Sequence, residues 1–261
     1  MDLEIEGNVA LCTAASGGLG LASAEALASE GAHVAVCGRT ESHIESAAER
    51  LREASEGEVL TMEADITDPA HVRAFVEATV EEFGGLDHVV TSAGGPPSGP
   101  FVEMDDSDWY RAYDMLVMSV VWTLREAHPH LRESEAGTAV AITSRTVREV
   151  ADDLVLSNAV RRAVEGLVKT LAREFAPEVR VNTVLPSAHE TTRIEELIEM
   201  AVERGEVEDY AAGYEEWVGD NPMERIGEPH ELGDVVAFLS SERASYVNGA
   251  AIPVDGGLTR S

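Results

Sequence analysis

Lysine is almost missing from this chain: Lys169 is the only one in 261 residues, and arginine supplies the rest of the 19 bases. Against 49 acids they leave a formal net charge of −30. Such a surface repels nucleic acid and anionic membranes, so neither is expected as a partner. The acids run along the whole chain rather than gathering in a tail. That distribution keeps a protein dissolved where salt screens charge strongly, and it brings self-repulsion in dilute buffer. A salt-loving source is the expectation. Cysteine is scarce as well. Cys12 and Cys37 each lie in an apolar run, with no CxxC and no metal-ligand spacing. Buried, reduced thiols are expected, and neither a disulfide framework nor a metal site. No apolar run approaches the roughly 20 residues of a membrane span. The opening MDLEIEGNVALC is acidic where a signal peptide is basic. A cytoplasmic, soluble protein is expected.

What is present is a rhythm. Short apolar runs at 8–14, 33–38, 58–66, 86–94, 137–144, 178–186 and 249–255 alternate with helical patterns at 20–32, 41–54, 69–84, 107–131 and 153–176. Strands that read as continuous apolar runs between helices predict a parallel sheet covered on both faces. Pro69 suits the first turn of its helix, and Ser107 is the expected cap of the long helix that follows it. The rhythm breaks at 187–228, an acidic insertion with two helical patterns at 191–205 and 207–219. An insertion after a strand's C-terminal end is where α/β proteins hold ligands. The expected architecture is one Rossmann-type, doubly wound, parallel seven-stranded domain over residues 1–261, with 187–228 as a helical substrate loop.

The first apolar run leads into TAASGGLG, Thr13 to Gly20, and then a helix. Glycines there let backbone approach a pyrophosphate, whose charge suits the helix N-terminus. From this point the chain resembles the short-chain dehydrogenases/reductases, whose fingerprint is Thr-Gly-x-x-x-Gly-x-Gly. Thr13, Gly18 and Gly20 match, and Ala14 replaces the first glycine. ADI (64–66), TSAG (91–94), RVNTVLPS (180–187) and the stretch 231–257 resemble further family motifs, with Ser187 where the family has glycine. The likeness spans almost the whole chain, which is similar to the 3-oxoacyl-carrier-protein reductase branch. It implies cofactor contacts from Thr13, Ser16, Gly18, Leu19, Gly20, Asp65, Ile66, Ala93, Gly94, Arg161, Pro186, His189 and Thr191. Where an acidic residue would hold the ribose of NAD, the chain reads Gly38-Arg39. Glycine leaves room and Arg39 offers a fork for a phosphate, so NADP(H) is expected over NAD(H).

The same resemblance exposes a gap. The family uses a tyrosine as proton donor, a lysine four residues later, a serine on strand five and an asparagine on the long helix. Ser144 keeps the serine's position. Ser157 stands in the tyrosine's, Arg161 in the lysine's and Leu116 in the asparagine's. A phenol ionises near about 10 and can be drawn toward neutrality, whereas an aliphatic hydroxyl has no such route. A guanidinium does not give up its proton. Ser144, Ser157 and Arg161 are the candidate catalytic residues, Arg161 placed to bind ribose hydroxyls or an anion, or else to lie at a subunit interface. Tyr110, Tyr113, Tyr210, Tyr214 and His189 are the other possible proton sources. Arg145, Arg148, Arg161 and Arg162 put four of the 19 bases into 18 residues, favouring an anionic or phosphopantetheine-bearing substrate.

The expected activity is an NADP(H)-dependent oxidoreductase acting on a carbonyl or alcohol. The alternatives are a silent nucleotide-binding sensor or partner protein, and an enzyme of another class on the same scaffold. The family's interface helices, here 107–131 and 153–176, imply a homotetramer or homodimer. The charge makes a prediction of its own. Raising salt from about 0.1 M to about 2 M shrinks the Debye length to a few Å and relieves self-repulsion. The thermal midpoint should rise across that range, and a flat or falling midpoint would contradict the reading of the surface.

Overall fold

Val9–Cys12 (β1) reads VALC and is buried along its whole length. His33–Gly38 (β2), Val59–Glu63 (β3), His88–Thr91 (β4), Thr138–Ile142 (β5), Arg180–Pro186 (β6) and Ala251–Val254 (β7) complete one sheet in the order β3-β2-β1-β4-β5-β6-β7. Every pairing in it is parallel. This is a computed structural model, and it describes residues 2–54 and 57–260. All seven expected strands form; His33–Gly38 matches its expected run and the other six are shorter at one or both ends, where the chain turns into loops.

Successive strand residues feed opposite cores, as the pleat requires. Val9, Leu11, Val89, Ala139 and Val181 face one cluster; Ala10, Cys12, Val34, Val90 and Val140 face the other. The first cluster is closed by Pro69–Phe83 (α3), by a helical stretch from Asp106 to Leu131, and by Val155–Glu174 (α6). The second is closed by Gly18–Ser29 (α1), Glu41–Ala54 (α2) and Pro229–Ser240 (α9). Cys12 and Cys37 are free thiols buried in opposite clusters, and burial raises both pKa values, that of Cys37 to about 12. No helix among the described residues is long and apolar enough to cross a membrane.

The helix expected at 107–131 is not continuous. Asp106–Tyr113 (α4) and Ser119–Leu131 (α5) flank a π-helical turn at Asp114–Met118. A π turn carries an extra residue, and here it tucks Leu116 and Val117 together into the core, both under 5% exposed. Ser107 is not the cap. Asp105 takes that place, accepting from the Asp108 N–H at 3.1 Å, while the Asp108 carboxylate accepts from the Asp105 N–H. The reciprocal pair satisfies two amides that a lone serine cannot.

Between β6 and α9 the insertion forms Thr192–Glu203 (α7) and Tyr210–Val218 (α8). It is fastened at its base. His189 and Gly227 form a bridge, and the Arg225 guanidinium donates to both Glu231 oxygens at 2.7 and 2.6 Å. The Tyr214 hydroxyl donates to Glu190 at 3.0 Å. At the other end of the site, Ala14 sits at φ +47° in the glycine turn. Left-handed backbone costs a Cβ-bearing residue roughly 1–2 kcal/mol. Ala14→Gly should therefore raise the unfolding free energy by about 1 kcal/mol, read from a urea midpoint. An unchanged or lower midpoint would show that the loop holds alanine there without strain.

Candidate active site

A cleft of about 1140 Å³ opens along the C-terminal ends of the strands, walled by the loops after β1, β4, β5 and β6 and by the insertion. The N-terminus of α1 faces it. Gly17 is the cap, it lends no side chain to the free amides, and the first turn carries no acid. In a chain with 49 acids, that leaves a helix end open to an anion. Ser16, Gly17, Gly18 and Leu19 line the cleft, and Gly18 adopts φ +56°. Thr191, at the start of α7, also lines the cleft and would touch a Cβ placed on Gly18, so the insertion comes close to the glycine turn. Two fingerprint residues serve the frame instead. The Thr13 hydroxyl donates to the Ser92 carbonyl and accepts from the Ser92 N–H, both at 3.0 Å, tying the ends of β1 and β4. A Cβ on Gly20 would lie 2.9 Å from the Ala14 carbonyl oxygen.

At the β2 end, the expectation that Gly38 leaves room for a ligand needs correcting. A Cβ there would overlap Ser16, so the space belongs to the glycine turn itself. Arg39 is exposed and stands just beyond the cleft wall, which at this end is made by His43, Ser46, Ala47 and Arg50. Arg50 is already forked onto Glu25. Asp65 accepts from the Thr67 N–H and hydroxyl at 2.9 and 2.8 Å, closing a turn. Burial raises its pKa, but those bonds and the Arg39 charge outweigh that and hold it below the usual carboxylate range. Neither Asp65 nor the buried Ile66 lines the cleft.

The other end is organised by Arg161. Ala93, Gly94, Ser144, Arg161, Pro186 and His189 all line the cleft here. The Arg161 side chain rises from α6 beneath the strand ends, 9% exposed. Nη1 donates to the Thr143 carbonyl at 3.1 Å and Nη2 to the Gly94 carbonyl at 3.2 Å. Nε is buried with no partner, and no carboxylate among the described residues forms an ion pair with this guanidinium. Burial pushes its pKa down to about 10, so it is still charged at neutral pH. Ser144 caps the turn after β5 by accepting from the Thr146 N–H at 3.2 Å, which leaves its own hydroxyl hydrogen for another acceptor.

Ser157 does not join them. It is 7% exposed, sits outside the cleft lining, and meets the Thr146 hydroxyl at 3.3 Å. Serine is too short to cross from α6 to the cleft, so the helical register that aligns it with Arg161 does not bring it to the site. The expected arginine cluster also divides: Arg145 lines the cleft, Arg148 pairs with Glu165 at 2.9 Å, and Arg162 is exposed. His189 is not a solvated loop residue. It is 4% exposed, its ring fills the space that a Cβ on Gly227 would need, and its Nδ1–H points to the Ser187 carbonyl at 3.1 Å. Burial holds its pKa below the usual histidine range, so it is neutral. No tyrosine among the described residues lines the cleft. Tyr110, Tyr113 and Tyr210 are exposed, and Tyr214 is turned to Glu190.

Sequence reasoning missed Ser92, Gly95, Asp152, Asp153 and Trp217 in the lining. Ser92 lay inside the quoted TSAG motif. The others come from loops and the insertion, whose folding back over the strands has no periodic signal.

The family described as enoyl-(acyl carrier protein) reductase matches residues 13–259. Levodione reductase from Leifsonia aquatica is 32% identical over 95% of this chain and 93% of its own length. L-sorbose reductase from Gluconobacter frateurii, solved with NADPH and L-sorbose, superposes over both whole chains with a TM-score of 0.95 at 32% identity. A short-chain oxidoreductase from Pseudomonas aeruginosa, solved with NADPH and described as having an atypical catalytic centre, covers 97% of each chain with a TM-score of 0.88 at 29% identity. A further structural match was solved with NAD+ bound. With this sheet order, glycine turn and cleft, the chain belongs to the short-chain dehydrogenase/reductase family, whose members matched here are oxidoreductases of carbonyl and alcohol substrates.

Proposed function

We propose that this protein is an NADP(H)-dependent oxidoreductase of an anionic carbonyl or alcohol substrate, working with a fixed cation where its relatives use a proton-donating tyrosine. The observation that carries this is Arg161: a charged guanidinium with no ion pair among the described residues, lining a cleft whose other end is an open helix N-terminus. The cleft fits a dinucleotide. Ser16, Gly17, Gly18 and Leu19 would take the diphosphate, and Gly94 and Gly95, with open space where a Cβ would stand, would flank the nicotinamide half. Bound there, the reduced cofactor supplies a hydride. NADPH in two structural neighbours supports the choice of nucleotide, as does the lack of a carboxylate directly after β2, where Arg39 stands instead.

The residues of this chain then have separate tasks. Arg161 keeps its proton throughout and offers preorganised positive charge to an oxygen that becomes negative. Ser144 orients that oxygen through its free hydroxyl hydrogen. The proton itself comes from water in the cleft, because neither side chain releases one near neutrality. The lack of a tyrosine in the lining favours a second reading, a nucleotide-binding protein without turnover. Consumption of NADPH against a carbonyl panel in high salt excludes that reading, and binding without consumption selects it.

The cofactor choice rests on Arg39. Arg39→Asp should weaken NADPH binding by about tenfold, the scale of one charge-assisted contact, and improve NADH. Fluorescence titration in high salt measures both. Equal wild-type affinity for the two nucleotides, or no shift in the variant, would overturn the assignment.

A further inference from the structure

We propose that the substrate is a 2-oxo monocarboxylic acid, or the 2-hydroxy acid formed from it, seated on Arg161 by its carboxylate and the adjoining oxygen. This rests on the reading of the cleft as a nicotinamide-dependent site and specifies what occupies it. A guanidinium carries five N–H donors. Nη1 and Nη2 each give one hydrogen to a backbone carbonyl and Nε is buried, so two Nη hydrogens remain unbonded on a side chain that lines the cleft. A 2-oxo acid presents one carboxylate oxygen and one carbonyl oxygen side by side in a plane, which two neighbouring guanidinium donors match.

The same seat accounts for the missing phenol. Hydride transfer would break a C–H bond of the reduced nicotinamide and form one at the carbonyl carbon, and the π pair would move onto an oxygen beside a cation already in place. Water would then give that oxygen its proton, leaving hydroxide to the solvent and the nicotinamide oxidised. Ser144 follows Thr143, whose carbonyl Arg161 holds, so both donors serve one end of the cleft.

Charge limits the substrate further. Asp152, Asp153, Glu216 and Asp220 also line the cleft. Arg145, the other arginine at this end, is half-buried and near Asp255, whose carboxyl burial raises while the Thr259 and Gly257 N–H bonds and, least, the Arg145 charge lower it on balance. One buried cation, Arg161, and an acidic wall select a monoanion with an uncharged tail. A second carboxylate or a phosphate dianion meets repulsion.

The test is binding, not turnover. The NADP+ complex is titrated with oxamate, with its neutral counterpart oxamide, and with malonate, following Trp217 in the cleft wall by fluorescence. Oxamate should bind at least about tenfold tighter than oxamide and than malonate, a site built for a polar group rejecting ligands that lack it or that add a charge. Arg161→Gln should erase the preference over oxamide and Arg161→Lys should retain part of it, with thermal midpoints confirming folded protein. Equal binding of oxamate and oxamide by the wild type overturns the proposal even if neither variant folds, as does an unchanged preference in Arg161→Gln. Failure to bind NADP+ itself would instead remove the cofactor reading beneath it.

Discussion

The guanidinium of Arg161, held between the carbonyls of Thr143 and Gly94, is the contact on which the site depends. It joins three elements: α6 supplies the side chain, and the segments after β4 and β5 supply the acceptors. Among the described residues only backbone dipoles bond to the charge, so it is not cancelled as it would be by a carboxylate. A buried cation without a counter-ion is costly unless its donors are bonded, and here the protein bonds only part of them. The remainder is a positive potential directed into the cleft. Removing the side chain would also strand two backbone acceptors, which ties the site's chemistry to the local fold.

That potential works against its surroundings. The chain carries −30 overall, and acids stand in the cleft wall itself. Long-range repulsion of an anion is screened by salt, whereas a buried contact at hydrogen-bond distance is screened far less. Salt therefore removes the barrier to approach more than it weakens the seat. The acid-free first turn of α1 follows the same logic at the other end: an anion site persists in an acidic protein only where acids are kept out.

The sheet was legible in the sequence because a doubly covered parallel strand leaves a plain apolar run, and LDHVVTSAG or EVRVNTVLP can be little else. The π turn at Asp114–Met118 was not, since its apolar residues also satisfy an ordinary helix over that length. Arg161 was found through its register in a familiar motif, but its partners, 18 and 67 residues away, leave no local mark. Ser157 shows the opposite failure. Its spacing from Arg161 is right for a shared helix face, yet side-chain length keeps its hydroxyl on Thr146. Gly38 was legible as a special glycine, and only the folded chain shows that Ser16 takes up its space.

The site turns on an uncancelled positive charge open to the cleft at Arg161. Anomalous diffraction from crystals of the NADP+ complex soaked in bromide tests it most directly. A bromide peak in direct contact with the Arg161 Nη atoms is the predicted result. A well-ordered Arg161 with no anion beside it, or one turned onto a carboxylate, would contradict the claim.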